Sequence, residues 1–347
     1  MQLYNLGSVN WMDSQLIYHA LPRLNREALV LLSPATPYIC IGYHQDAAQE
    51  VDLDYCREHG IPIFRREVGG GAVYLDGDQL FYQLVIHRDH PAVPRDKEAF
   101  YKRFLQPVID TYRAMGVDAH YKPVNDIITG EGQKISGNGV AEIGEYIIFV
   151  GNVIVDFNYD MMVRILRVPD EKFRDKIHKT MVDNLTTARR LLGDKTPSRE
   201  EINRMLAENF GKILGAFEPG EVDNALRAEV ERLKLSFLTE EWLMKKGRRV
   251  EGREVRISAT VNVKQKMYKA PGGLIRATTE VRDSVITAVS ISGDFFIYPE
   301  EAVTALEEAL VGLREDEVEG AIAAFYAERG VESPGVEPAD FARVIVS

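Results

Sequence analysis

Short apolar runs divided by polar turns fill the first part of the chain, and their length predicts strands. Ala28 to Leu32 and Tyr38 to Gly42 carry the Val, Ile and Tyr residues that suit a sheet. Val51 to His59 reads as a short polar helix that Gly60 stops. Ile61 to Arg66 is the next expected strand and runs into Gly69-Gly70-Gly71; strands near Ala72 to Leu75 and Leu80 to Ile86 follow. Phe100, Phe104 and Val108 share one helical face, so Asp96 to Met115 is expected to be a helix. Strands near Asp126 to Thr129, Lys134 to Glu142 and Tyr146 to Asp156 come next, with Gly130-Glu131-Gly132 turning between the first two. From Tyr159 to Lys245 the pattern is helical and strongly charged, as for helices laid on a sheet with their polar faces in water.

The pattern changes at Lys245-Lys246-Gly247-Arg248-Arg249, a basic stretch broken by glycine. Strand-like sequence runs from Glu254 to Ser292, and three helices are expected near Glu300 to Leu313, Glu315 to Glu328 and Glu337 to Val346. Val303, Leu306 and Leu310 set the apolar stripe of the first of these. Strands followed by helices define a small α+β unit. The expected organisation is therefore residues 1–240 as one domain and 241–347 as a second, with no internal repeat.

Composition narrows the function classes. The 53 acidic residues outnumber the 42 basic ones, giving a net charge of −11, which argues against long-range attraction to nucleic acid. No apolar run approaches the ~20 residues of a membrane span, and the first residues do not resemble a signal peptide. A soluble, cytoplasmic protein is expected. Cys40 and Cys56 are the only cysteines, so a disulfide framework is excluded, and the scattered histidines do not suggest structural zinc.

Two segments carry candidate chemistry. In Arg65-Arg66-Glu67-Val68-Gly69-Gly70-Gly71-Ala72-Val73, three glycines leave no Cβ to block a ligand, and their amides can converge on an anion. The arginine pair offers forked donors to a carboxylate or phosphate. A glycine-rich hairpin turn with surface arginines is an equal reading of the same residues; a P-loop is not, since no Gly-Lys-Ser/Thr follows. The second segment is Asn125-Asp126 followed by Lys134-Ile135-Ser136-Gly137-Asn138-Gly139. Lys134 can reach a phosphoryl group and Asp126 can hold Mg²⁺, although Lys134 by itself reads as a surface lysine after a turn. Together, a glycine cradle, an arginine pair, a lysine and a carboxylate are the parts that adenylyl transfer needs, because that reaction is mainly positioning and charge neutralisation.

These segments, with Ile41-Gly42 and Gln45 upstream and Gly151 downstream, resemble the lipoate–protein ligase A family over about residues 1–235. Tyr268 to Ile275 and Gly293-Asp294-Phe295-Phe296 resemble that family's accessory carboxyl-terminal domain. Biotin–protein ligases share the catalytic fold, but their repeated Gly-Arg motif is absent. The resemblance implies an α+β fold with a mixed β-sheet catalytic domain of the biotin/lipoate ligase type and a smaller α+β accessory domain. It implies ATP, Mg²⁺ and lipoic acid or octanoate as reactants. The implied partner is an acceptor lipoyl-domain protein, such as a 2-oxoacid dehydrogenase subunit or the glycine cleavage H protein. By the same resemblance, Lys134 bridges the acyl carbonyl and α-phosphate, and Gly69, Gly70, Gly71, Ala72 and Val73 contact the nucleotide and acyl ends. Asn125 and Asp126 orient nucleotide or Mg²⁺, Ser136, Gly137, Asn138 and Gly139 shape the pocket floor, and Gly151 lies in the following strand. One of Arg65 and Arg66 anchors the loop or the acyl carboxylate.

Two departures stand out. Leu75 and Val150 replace the histidines of the family pattern, which fits an altered acyl tail or acceptor, or drift in packing. Two other functions remain to be weighed: an ATP-independent octanoyl or lipoyl transferase working through a cysteine thioester, and a catalytically silent lipoyl binder. An acidic enzyme meeting an acidic acceptor needs a local positive patch, for which Lys245 to Arg249 is the sequence candidate, a solvated hinge being the alternative.

Overall fold

A six-stranded mixed sheet organises the first part of the chain in this computed structural model, which describes residues 1–168, 174–246, 255–256 and 261–346. In chain order the strands are β1 (Gln2–Val9), β2 (Ala28–Pro34), β3 (Tyr38–Ile41), β4 (Ile63–Arg65), β5 (Val73–Leu75), β6 (Gln79–His87), β7 (Ala119–Lys122), β8 (Asp126–Thr129), β9 (Lys134–Ser136), β10 (Asn138–Ile143), β11 (Tyr146–Ile154) and β12 (Glu218–Pro219). The large sheet runs β10-β11-β6-β2-β1-β12, and β4-β3-β5 and β7-β8-β9 form two small ones. β10, β11, β6 and β2 pair antiparallel, whereas β1 pairs parallel to both β2 and β12.

Every residue of β2 is buried, and so is all of β6 before His87. Such strands are covered on both faces, which is why they read as continuous apolar runs. Part of the cover is the helix Lys97–Ala114, whose Phe100 and Phe104 pack on Phe149 of β11. The Asp96 carboxylate accepts from the Ala99 amide at 2.8 Å and caps its start.

Contacts divide the chain into two compact units: residues 1–40, 52–64 and 73–239, and residues 41–51, 65–72 and 240–347. In the second unit, β13 (Val255–Arg256), β14 (Val261–Ala270), β15 (Gly273–Arg282) and β16 (Val285–Gly293) form an antiparallel meander. Helices Ala302–Leu310, Val318–Arg329 and Pro338–Ile345 contribute Val303, Leu306, Leu310, Ile322 and Phe341 to a core shared with Ile275, Ile286 and Ile291. These are the strands and helices expected there. Residues 247–249 of the basic stretch lie outside the described residues.

Three local features differ from the sequence reading. β1 and the helix Trp11–Arg23 were not legible, because that helix buries Ser14, Gln15 and His19 and so breaks its own apolar stripe. The helix expected over Val51 to His59 is Leu53–Glu58, capped by the Asp52 side chain, and a separate short helix not expected from the sequence, Ala47–Glu50 capped by Asp46, precedes it. The strand expected from Lys134 to Glu142 breaks at Gly137 into β9 and β10, which belong to different sheets. At the break the Gly137 amide donates to the Asn152 side chain at 3.0 Å.

Candidate active site

In the first unit, β8 and β9 bring Asp126 and Lys134 together. Ile128 pairs with Lys134 and Ile127 with Ser136, so the ladder is irregular at the lysine. The Lys134 ammonium lies 2.6 Å from the Asp126 carboxylate, and both side chains are partly exposed, at 37% and 27%. The lysine backbone is anchored by its carbonyl, which accepts from the Thr186 amide at 2.8 Å. A cation fixed at the rim of a sheet, with its main chain held and its side chain reachable, can act on an incoming anion. Its carboxylate partner is of the type that could hold a hydrated Mg²⁺, an ion that typically takes one or two carboxylates along with phosphate oxygens.

Residues that flank this pair in sequence form a largely buried polar network. Asn125 and Asn138 exchange side chain-to-backbone hydrogen bonds, Asn125 Nδ2 donating to the Asn138 carbonyl at 2.5 Å and Asn138 Nδ2 to the Asn125 carbonyl at 2.9 Å. Ser136 Oγ donates to the Asn152 carbonyl at 2.7 Å and lies 3.2 Å from Tyr82 Oη, which itself donates to the Asn138 side chain. Asn152 Nδ2 donates to Gln79 Oε1 at 2.7 Å, and Gln79 Nε2 to the Tyr74 carbonyl at 3.0 Å. Burial pushes the Tyr82 hydroxyl well above the ordinary tyrosine range, so it stays a neutral donor. Gly151 pairs with Asn138 across the sheet, and a Cβ there would come within 2.2 Å of Tyr82 Oη and 2.4 Å of Asn138 Oδ1. Glycine is required by that close approach. Sequence reasoning missed Tyr82, Asn152 and Gln79; polar residues inside otherwise apolar strands were the available signal.

The arginine–glycine segment belongs mainly to the second unit, with Val73 alone in the first. Arg65 is fully buried, and its guanidinium donates to the carbonyls of Gly42, Tyr43 and Gln45 at 2.6–3.1 Å and to those of Trp242 and Leu243 at 2.6–3.1 Å. Burial lowers its pKa to about 10, which leaves it charged at neutral pH. Arg66 instead folds back on the glycines, its Nη2 donating to the Gly69 carbonyl at 2.7 Å and the Gly71 carbonyl at 3.0 Å. The upstream glycine has a physical role as well: a Cβ on Gly42 would meet the Gly70 carbonyl oxygen at 1.9 Å, and the Gly42 amide donates to Gln45 Oε1 at 2.9 Å.

His44 in the same turn is buried and stacked on Phe295, with ring centroids 5.2 Å apart. Desolvation, reinforced by Lys246, Lys245 and Arg65, drives its pKa well below the usual value, and the ring is neutral. Lys246 is buried against Glu307 at 3.2 Å, and Lys245 lies over the rings of Tyr43 and Trp242. Lys246 is therefore engaged within its own unit. Both thiols are buried, and desolvation, with the charge of Asp52, pushes Cys56 up to about 11. Leu75 is buried in β5, and Val150 pairs with Gly139 and Gln83 in the large sheet.

Residues 8–211, more than half of the chain, match the family model of the lipoyl protein ligase A/B catalytic domain, and residues 260–345 match that of the bacterial lipoate protein ligase C-terminus. The chain belongs to this family of lipoate–protein ligases and octanoyltransferases. It is 27% identical to the octanoyltransferase LipM of Kyrpidia tusciae over 232 residues, 60% of this chain and 84% of the relative. It is 29% identical to the lipoate–protein ligase LplJ of Bacillus subtilis over 281 residues, 80% of this chain and 78% of the relative. Among solved structures, the bipartite lipoate protein ligase of Thermoplasma acidophilum, described with its E2 lipoyl domain, superimposes with a TM-score of 0.63 at 28% identity, covering 72% of this chain and 98% of the other. A lipoate–protein ligase A bound with ATP gives 0.59 at 26% identity, covering 70% and 98%. The fold is the α+β, mixed-sheet fold of the biotin/lipoate ligase type, with an added carboxyl-terminal sheet domain.

Proposed function

We propose that the chain is an ATP-dependent lipoate–protein ligase. The lipoate or octanoate carboxylate attacks the α-phosphate of ATP and pyrophosphate departs. A lysine amine of an acceptor lipoyl domain then attacks the acyl carbonyl of the adenylate, and AMP leaves. Lys134 is assigned to charge neutralisation in both steps, and Asp126 to orienting it and to holding Mg²⁺. Asn125, Ser136, Gly137, Asn138, Gly139 and Gly151 form the floor, and Gly69 to Val73 the backbone cradle. Arg66 shapes that cradle, while Arg65 supports the turn beneath it. The likeness to the ATP-bound ligase structure supports the nucleotide, and the Thermoplasma system supports a lipoyl-domain acceptor. Use of ATP fits a cytoplasmic enzyme, and among the described residues no helix is long and apolar enough to cross a membrane.

The observation that carries this reading is the state of the cysteines. The second reading, an ATP-independent octanoyltransferase, is favoured by the similarity to LipM but requires a thiolate nucleophile. Cys40 and Cys56 are the only thiols of the chain; both are buried, and Cys56 is held in the protonated form. Pyrophosphate exchange into ATP, measured with lipoate and with octanoate, separates the two. Exchange dependent on either acid is expected. Its absence, together with octanoyl transfer between carrier proteins, would favour the transferase.

A further inference from the structure

We propose that Phe296 is a positioning residue for adenylation, seating the glycine loop from within the second unit. Several contacts hold the loop, among them the Gly70 amide donating to the Phe295 carbonyl at 3.4 Å. Arg66 binds the Gly69 and Gly71 carbonyls, Gly42 packs under the Gly70 carbonyl, and the ring of Phe296 lies on Gly69 and Gly70. A Cβ on Gly69 would be 3.0 Å from Phe296 Cδ1 and 3.0 Å from the Phe295 carbonyl oxygen; one on Gly70 would be 2.9 Å from Phe296 Cζ. Gly70 also sits at φ +89°, where side chains are strained. Gly71 differs, since a Cβ there would meet only Asp294 Cβ, at 3.9 Å.

Two glycines are thus absent of side chains because an aromatic ring needs the space, and the third leaves room for a ligand. Phe296 itself is buried, yet it is not part of the core cluster of its unit, to which its neighbours Phe295 and Ile297 both belong. Its ring reaches the loop, with Cδ1 and Cζ closing the space where Gly69 and Gly70 would carry a Cβ. A run of three glycines has more backbone freedom to lose than any other tripeptide, so an unseated loop must be ordered anew by each ligand. This inference rests on the reading of the loop as an acyl-adenylate cradle.

The test uses the full chain with Phe296→Ala and the milder Phe296→Leu. Hydrogen exchange at the amides of residues 69–72 reads the seat, and pyrophosphate exchange reads the reaction. Phe296→Ala should speed loop exchange and raise the KM for ATP and lipoate about tenfold, roughly one residue's backbone freedom, with kcat little changed. Phe296→Leu should fall between. Gly70→Ala should do less harm in the Phe296→Ala background than in the wild type, because Cζ is gone; additive effects would count against contact between them. Unchanged loop exchange in both Phe296 variants overturns the proposal, and so does faster exchange with unaltered KM. Should the wild type form no adenylate, the ligase reading falls, while loop exchange and acyl transfer between carriers still decide the role of Phe296.

Discussion

At 2.6 Å from Asp126, the Lys134 ammonium is held by one carboxylate and remains partly open to solvent. That arrangement keeps the charge in place without a large desolvation cost, and an incoming phosphoryl group can share it. Lys134→Ala is expected to lower lipoate-dependent pyrophosphate exchange by about 10²–10³-fold, the scale of removing one electrostatic stabiliser of a transition state. The fold should survive, because the lysine is anchored through its backbone and its side chain adds little to the core. Near-normal exchange by a folded variant would remove Lys134 from the mechanism. Cys40 and Cys56 have the opposite standing: both are buried, and neither is needed by an adenylate mechanism. A Cys40→Ser/Cys56→Ser chain should keep its activity with some loss of stability from burying hydroxyls. A folded but inactive double variant would bring back the thioester route. Lys134 and Asp126 are candidates in the sequence through charge and small residues beside a turn and the family resemblance, and what the structure adds is their ion pair. The division of labour between Arg65 and Arg66 could not be read there, since it depends on five carbonyls contributed from residues 42–45 and 242–243.

Among elements, the glycine loop and the β9–β10 break carry most of the candidate chemistry. Apolar periodicity located Lys97–Ala114 and the three carboxyl-terminal helices to within a few residues, because each lays one regular stripe on a core. It could not foresee the break at Gly137, where an Asn152 side chain takes the backbone amide, or the polar network of Tyr82, Ser136 and Asn138. Such features arise from partners far apart in sequence. The loop makes a sharper forecast possible. A Cβ on Gly71 would stand 3.9 Å from Asp294 Cβ, an ordinary contact, so this glycine is the one of the three at which a side chain tests ligand binding most directly. Gly71→Val should abolish nucleotide binding in calorimetry while circular dichroism stays native-like. Retained binding would reduce the triple glycine to a turn with an aromatic seat.

Across the whole molecule, the compact units do not follow the chain in two halves. Residues 41–51 and 65–72 group with residues 240–347, so the turn around Gln45 and the glycine loop share a unit with the carboxyl-terminal sheet. We propose residues 1–240 as the catalytic domain and 241–347 as the accessory one, and this grouping gives the accessory part a physical task. A chain ending at residue 240 lacks Trp242 and Leu243, whose carbonyls satisfy the buried Arg65 guanidinium, and Phe295 and Phe296, on which Gly69 and Gly70 rest. A buried charge deprived of acceptors costs about 1–3 kcal/mol or more for each lost hydrogen bond unless water replaces them, so the turn and loop should loosen together. Lys134, Asp126 and the polar network have all their described partners before residue 240 and should keep their geometry. The two half-reactions should therefore respond differently. A chain of residues 1–240 is expected to lose adenylate formation more severely than transfer from supplied lipoyl-adenylate, since transfer starts from an intermediate already made. Measuring both steps on that chain, with and without residues 241–347 added separately, decides it. Adenylation at the full-length rate by residues 1–240 alone would show that the carboxyl-terminal sheet is no part of the activation machinery, and would leave the seating of the loop without consequence for catalysis.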